Sequence, residues 1–456
     1  MTEAKFTSID LFAGPGGLCT GFRWAGIKAL IAVEWTDSTV QTYSKSHNAD
    51  ILELEDYLEK EANDPNFHFA KSDKTLMIHG DIRKVDRNLI MKILHERFDR
   101  ESVDIVTGGA PCESFSMAGD RKEDDYRNVL YTNVLRIARV VDSKMFLFEN
   151  VKGLFSKKTP EDKLGMFHFI CEDFQSIKTD SEGKELPSFT LASDNKQTVL
   201  LHAIDYGVPQ ARERLFLVGI NRKFPNGIFN YPKPTHGVGD GLLPYVTVED
   251  ALMDLPQVES KEENNHYDFQ GQKVNPESPN HDYLTPERED FLSKMRGYSL
   301  PVDVPNFDKE HGLSYQKGPG HITKMMNRIK AIKIGENMRT AYERLLKEGR
   351  KEFVKENFPK KIYGARNRRL VPEKPSFTVT SHCLDEMIHP YLDRGLTPRE
   401  AARLQSFPDW YNIEGPYVKF HGDFEQDKYE QIGDAIPPLL AYAIGKEVVK
   451  TLKTLK

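Results

Sequence analysis

Five short runs of near-continuous apolar residues constrain this chain most: "TSIDLFAG", "KALIAVEW", "SVDIVTGG", "KMFLFENV" and "RLFLVGI", all between Thr7 and Ile220. A strand with one wet face alternates apolar and polar residues, so an uninterrupted run implies that both faces are covered. Amphipathic stretches such as Val129 to Val141 separate the runs. The alternation predicts an α/β fold on a doubly wound, mostly parallel sheet. Ligands of such sheets sit outside the carboxyl ends of the strands. The residues with chemical potential gather there: Gly14 to Gly17, Glu34, Asp81, Pro111-Cys112 and Glu149-Asn150 each follow a run or an expected strand.

After about Asn221 the character changes. "YPKPTHGVGDGLLP", "NPESPNHDY" and "KGPGH" bring proline and glycine at short intervals, which predicts a second, smaller, loop-rich domain. The expected division of the 456 residues is a sheet domain over 1–220, the second domain over 221–390 and a segment over 391–456 that returns to the first. In that last segment "LTPREAARLQSFP" offers Thr397 as N-cap, Pro398 at the first helical position and Glu400 to close a capping box. Pro437 to Leu452 then reads as a helix with an apolar side that packs back on the core.

No apolar run approaches the roughly 18 residues that cross a bilayer, so no membrane partner is expected. The first strand-like run starts too close to Met1 to leave room for a leader, which predicts a cytoplasmic protein. Cys19, Cys112, Cys171 and Cys383 lie far apart without C-x-x-C spacing, which disfavours disulfides and zinc; no metal is expected. The formal net charge of -6 conceals a division: residues 241–310 hold 6 Lys and Arg against 15 Asp and Glu, and residues 311–370 hold 16 against 5. The basic block is either a solvated helical face or the footprint of a surface that neutralises phosphates.

"DLFAGPGGLCTGF" is a glycine-rich turn after a strand, where backbone can approach a ligand and a helix N-terminus follows. The G-x-G-x-x-G fingerprint of nicotinamide and flavin folds fails, because the third glycine position is Cys19. Glu34, about twenty residues on, still suits ribose hydroxyls, so an adenosine-type cofactor stands beside a purely structural turn. Cys112 in "GGAPCESFS" is either a small buried hydrophobe or a nucleophile. The polar continuation "SMAGDRKEDDYRN" suits a closing loop better than a core, and a thiol with pKa about 8.5 needs only modest activation. Glu149 ends an apolar strand, which requires either a cationic partner or a protonated role. Arg212 and Arg214 in "QARERLFLVG" are candidate partners that project to one side by the period-two rule, with solvated arginines the alternative.

Together these segments resemble the cytosine carbon-5 DNA methyltransferase family of the bacterial restriction-modification type, over nearly all of the chain except its middle. "DLFAGPGG" is similar to the family's cofactor loop, "GGAPCESFS" to its nucleophile loop, "ENVKGL" to its acidic strand end and "QARERLFLVG" to its arginine motif. "LTPREAARLQSFPD" and "QIGDAIPP" resemble its closing motifs.

The resemblance implies a Rossmann-like methyltransferase domain with a target-recognition domain, and a reaction. The Cys112 thiolate adds to carbon 6 of a cytosine, Glu149 holds and protonates ring nitrogen 3, and carbon 5 attacks the sulfonium methyl of S-adenosyl-L-methionine. It further implies that Arg214 binds the base carbonyl and steadies Glu149, with Arg212 supporting the nucleophile loop. By the same resemblance Asp10, Leu11, Phe12, Gly14, Gly17, Glu34, Trp35, Asp81, Ile82, Gly109, Pro111, Leu130 and Asp434 bind the cofactor. The implied partner is double-stranded DNA whose target cytosine is flipped out, since the chemistry cannot reach a stacked base. Ser116 and the arginines of "YGARNRRL", Arg366, Arg368 and Arg369, are the implied nucleic-acid contacts. A monomer, nucleoid-associated through DNA and with a cognate restriction endonuclease acting separately, completes the expectation.

Two positions depart from the family pattern: Glu113 stands where glutamine is usual, and Asp434 where asparagine is usual. A transfer-RNA cytosine methyltransferase is the nearest alternative, disfavoured by the long middle region. A catalytically silent DNA-binding relative is disfavoured by the retained Cys112, Glu149 and Arg214, and an oxidoreductase by the failed fingerprint.

Overall fold

The structure is a computed structural model and describes residues 5–110, 130–157, 165–180, 182–266, 286–304, 307–308, 312–419 and 425–455. The chain forms two compact units: Met1–His202, Glu213–Lys233 and Pro438–Lys456 in the first, Ala203–Arg212 and Pro234–Pro437 in the second. The return to the first unit therefore falls at Pro438, not near 391. The intervening segment packs inside the second unit, where the buried Arg394–Glu400 pair and the pairs of Arg403 with Asp254 and Asp409 fix the helix Pro398–Leu404. Thr397 and Glu400 form the expected capping box there.

The first unit is a nine-stranded sheet. Its strands in chain order are β1 (Phe6–Leu11), β2 (Ile27–Glu34), β3 (Asp50–Glu53), β4 (Leu76–His79), β5 (Ile105–Gly108), β6 (Met145–Val151), β7 (Phe189–Leu191) and β8 (Leu200–His202). After β9 (Gln210–Ala211), which pairs in the second unit, β10 (Glu213–Asn221) completes the sheet. The spatial order is β3-β4-β2-β1-β5-β6-β10-β7, with β8 on β10. All five quoted apolar runs are strands. β1 to β6 pair in parallel, whereas β10 runs antiparallel to β6, β7 and β8.

β1 has β2 on one side and β5 on the other. The direction of winding reverses between β1 and β5, so the crevice for a ligand opens at their carboxyl ends. Ile9, Leu11, Ile31, Val33, Val106, Phe146 and Phe148 are fully or almost fully buried in one core beneath it. Helix α1 (Gly17–Ala25) follows β1 and packs on the C-terminal helix Pro438–Leu452. The approach is close enough that a Cβ at Gly21 would lie 2.4 Å from the Pro438 carbonyl oxygen.

Among the described residues, the strands of the second unit are two-residue pairs, β9 with β12 (Ser376–Phe377) and β11 (Arg368–Arg369) with β13 (Met387–Ile388), together with short helices. The helices Thr323–Ala331, Met338–Lys347 and Lys351–Asn357 enclose a small core of Ile329, Ile332, Met338, Leu345 and Phe358. The basic block thus coats a built helical substructure.

Candidate active site

The end of β1 is held by its neighbours. Asp10 is 3% exposed, and its Oδ1 accepts from the Thr107 hydroxyl on β5 at 2.7 Å. Its Oδ2 is buried with no hydrogen-bond partner among the described residues. Burial is the main cause that pushes this carboxyl up to about 7; the Glu34 charge adds to the rise and the Thr107 bond opposes it. Leu11 is fully buried. Phe12 then turns left-handed at φ 54°, a conformation that costs a non-glycine residue about 1–3 kcal/mol and persists where the surroundings over-determine it. Gly14 is left-handed as well, at φ 55°, and a Cβ there would meet nothing within 4 Å. The turn therefore borders open space. Gly17 begins α1 and is buried.

Glu34 closes the turn. Its Oε2 accepts from the Gly14 amide at 2.9 Å, and its Oε1 from the amides of Trp35 at 2.8 Å and Thr36 at 3.2 Å. Burial raises its pKa against these three bonds. Trp35 is 65% exposed, an unusual state for a large aromatic ring and a free stacking face. Its carbonyl lies 3.2 Å from His79 Nε2, and His79 Nδ1 is 2.7 Å from Glu53. Nothing in the sequence singled out His79, because the residues it ties together come from three separate segments.

Asp81 caps the short helical turn at Ile82–Lys84 by accepting from the Arg83 amide. The Arg83 guanidinium also grips this carboxylate and holds it below the usual range. Ile82 and Leu130 are buried in the main core.

The second feature lies at the end of β6, one strand from β5. Glu149 is 8% exposed and pairs with Arg214, Oε1 to Nε at 3.0 Å. Phe216 faces Glu149 across the antiparallel ladder, so Arg214, two residues before it, reaches the carboxylate on the diagonal. Gly109 lies against the same group: a Cβ there would sit 2.6 Å from Glu149 Oε2. Asn150 Nδ2 donates to the Ala110 carbonyl at 3.3 Å, which ties the chain leaving β5 to β6. Glu149 and Asn150 belong to the last residues of the strand itself and do not follow it. Pro111, Cys112 and Ser116 lie outside the described residues.

Arg212 does not share the side of Arg214. The strand is interrupted between Ala211 and Glu213, so period-two alternation does not run across it. Its buried guanidinium donates to the carbonyls of Val379, Gly433 and Ala435 in the second unit. Arg212 thus braces the "QIGDAIPP" segment, in which Asp434 is exposed and accepts from Gln426 Nε2 at 3.1 Å.

The three arginines of "YGARNRRL" separate in the same way. Arg369 is 6% exposed and donates to the carbonyls of Ile329, Ile332, His389 and Leu392 and to Asp393. That bonding withdraws it from the nucleic-acid contacts expected from sequence. Arg368 is half-buried, over the Phe377 ring at 3.3 Å from its centre and beside Glu386. Arg366 alone of the three is exposed, beside the Tyr363 ring that Lys361 also approaches. Among the described residues, no group of three or more His, Cys, Asp or Glu could hold a metal ion, and no helix is long and apolar enough to cross a membrane.

A glycine turn after β1, an acid at the end of β2 and a buried Glu–Arg pair at the end of β6 narrow the choice, and sequence comparison decides it. The profile of C-5 cytosine-specific DNA methylases matches residues 6–74 and 68–450. The chain belongs to the C-5 cytosine-specific DNA methylase family. This methylase is 29% identical to the type II methyltransferase M.DdeI of Desulfomicrobium norvegicum over 440 residues, 96% of this chain and 88% of that one. It is also 29% identical to the type II methyltransferase M.XorII of Xanthomonas oryzae pv. oryzae, over 98% of this chain and 85% of that one. A crystal structure described as a DNA modification methyltransferase encoded within an E. coli prophage superposes with a TM-score of 0.62 at 22% identity, covering 98% of this methylase and all of that chain. The last likeness shows the fold, a Rossmann-like methyltransferase sheet.

Proposed function

We propose that this methylase transfers a methyl group from S-adenosyl-L-methionine to carbon 5 of a flipped-out cytosine in a specific double-stranded DNA sequence, through a transient Cys112 adduct. The observation that carries the reading is the Glu149–Arg214 pair pressed against Gly109, where the nucleophile segment leaves β5. The exposed Trp35 face, Glu34, the open space at Gly14 and the orphaned Asp10 Oδ2 fit an adenosine group joined to a cationic amino acid. S-adenosylmethionine supplies a methyl group activated by its sulfonium. Phe12, Gly14, Gly17, Glu34, Trp35, Asp81, Ile82 and Leu130 would hold it, with Pro111 as a further contact.

The chain's own residues do the rest. The Cys112 thiolate forms a bond to carbon 6 of the ring, and the displaced electron pair makes carbon 5 nucleophilic. Glu149 delivers a proton to ring nitrogen 3 and accepts from the exocyclic amine, while Arg214 orients Glu149 and meets the base carbonyl. After methyl transfer, loss of the carbon-5 proton to a water acting as base returns the electrons that expel Cys112 as thiolate, and ring nitrogen 3 gives its proton back to Glu149. Arg366 contributes a phosphate or guanine-edge contact. A cognate endonuclease acting separately, a monomeric state and a cytoplasmic, nucleoid-associated location belong to the same reading.

The test is incubation of the purified chain with labelled methyl donor and either duplex DNA or transfer RNA, followed by bisulfite sequencing of the DNA. Label in DNA at one repeated sequence context is expected. Label in transfer RNA alone, or in neither, overturns the reading.

A further inference from the structure

His79 ends β4 at the ladder position opposite Glu34 of β2 on one side and Glu53 of β3 on the other. Its side chain is 18% exposed and faces acceptors at both ring nitrogens. Nδ1 lies 2.7 Å from Glu53 Oε2, and Nε2 lies 3.0 Å from Asp37 Oδ1 and 3.2 Å from the Trp35 carbonyl. A ring with a single N–H would serve one side and turn a lone pair toward oxygen on the other, whereas a ring with N–H on both nitrogens answers both. His79 therefore joins the end of β3, the start of the helix Asp37–His47 and the main chain of Trp35.

The two peptide units that flank Trp35 are bonded at all four of their groups. The Glu34 carbonyl accepts from the Gly80 amide at 2.9 Å, the Trp35 and Thr36 amides donate to Glu34 Oε1, and the Trp35 carbonyl accepts from His79. Yet the indole between them is 65% exposed, while the other two tryptophans, Trp24 and Trp410, are 7% and 3% exposed. A fixed backbone under an uncovered ring is a stacking face prepared in advance, and preparation spares a ligand the cost of ordering it.

We infer that His79 is a positioning residue of the donor site: anchored by Glu53 and Asp37, it holds the Trp35 carbonyl and so aims the indole on which the donor's adenine stacks. The inference rests on the S-adenosylmethionine reading above and adds to it a residue that acts through Trp35. A link that only joined β3 to β4 would serve the fold alike with or without the indole, and the two roles part on that point.

The experiment is calorimetric titration of the full chain with S-adenosylhomocysteine and 5′-methylthioadenosine, in a cycle of His79→Asn, Trp35→Ala and the two together. Asparagine brings its amide nitrogen to the place of Nδ1 and leaves the Trp35 carbonyl without its donor; glutamine at 79 reaches the place of Nε2 and restores it. His79→Asn should weaken both ligands by the same factor, about tenfold, because both carry the adenine. His79→Gln should recover most of that affinity. In the Trp35→Ala chain, His79→Asn should cost nothing further, since residues that act as one unit are not additive. Where the chain without the indole binds too weakly to titrate, the contrast between asparagine and glutamine at 79 decides. Where His79→Asn does not fold, Glu53→Gln takes its place, since Glu53 is half-exposed at the far side of the ring; it should weaken both ligands only while Trp35 is present. Equal losses with and without the indole, equal affinities of the asparagine and glutamine variants, or no loss at all overturn the role of His79 while the donor site stands. Failure of both ligands to bind the unaltered chain overturns the donor reading itself.

Discussion

The ends of β1 and β6 each bury an acid, and the two acids are treated in opposite ways. Glu149 is met by Arg214 across the β6–β10 ladder, and Gly109 leaves it just enough room. Asp10 meets a hydroxyl on one oxygen and, among the described residues, no hydrogen-bond donor on the other, and burial pushes it up to about 7. An acid paired within the chain has its orientation fixed before any ligand arrives, which suits proton delivery to a base. The difference separates an acid oriented by a cation of its own chain from one governed by burial.

Substitutions at the two ends should therefore fail in different assays. Glu149→Gln should lower methyl transfer by about 10²–10⁴-fold and leave S-adenosylmethionine affinity unaltered in calorimetry; a parallel loss of donor binding would merge the two ends into one function. Arg214→Ala removes the paired cation from the buried Glu149 and should destabilise the fold by about 3–5 kcal/mol, read by denaturant unfolding.

At β1 the sign reverses. The folded carboxyl of Asp10 titrates near 7 against a reference of 3.8, so the folded state prefers the protonated acid. Its penalty on stability is absent below the reference value, grows as pH rises and is constant above 7. Unliganded Asp10→Asn should thus be more heat-stable than the parent at pH 8 by up to a few kcal/mol, converging near pH 4; an identical gap at both pH values would contradict the buried acid.

Gly109→Ala pushes a methyl group into Glu149 Oε2 and should cost about 1–3 kcal/mol by overpacking, with turnover reduced more than donor affinity. The smallest effect is expected at Arg366→Ala, which should lower the salt slope of DNA binding by about 1. Arg369→Ala should instead lower stability, since its donors face carbonyls inside the second unit.

The sequence made the strands of the sheet legible because they are covered on both faces and read as unbroken apolar runs. The direction of β10 was not legible, since an apolar run has no polarity that tells parallel from antiparallel pairing. Glu149 with Arg214 could be read from a strand end and a nearby cation. Arg212 could not, because the interruption between β9 and β10 is made by contacts with residues more than 160 positions away. Composition found the basic block but could not tell Arg369, bonded inside a small helical core, from Arg366 on its surface. The isolation of Asp10 is a property of three strands together and has no signature in any one of them.

The covalent route is the central claim, and DNA substituted with 5-fluorocytosine tests it most directly. The fluorine at carbon 5 cannot leave as a proton does, so a Cys112 adduct formed in the presence of S-adenosylmethionine cannot resolve. Mass spectrometry of the digested complex should find a methylated fluorocytosine bonded to the peptide that carries Cys112. Methylation of ordinary DNA by the same preparation, with no adduct at Cys112 on the substituted DNA, would contradict it.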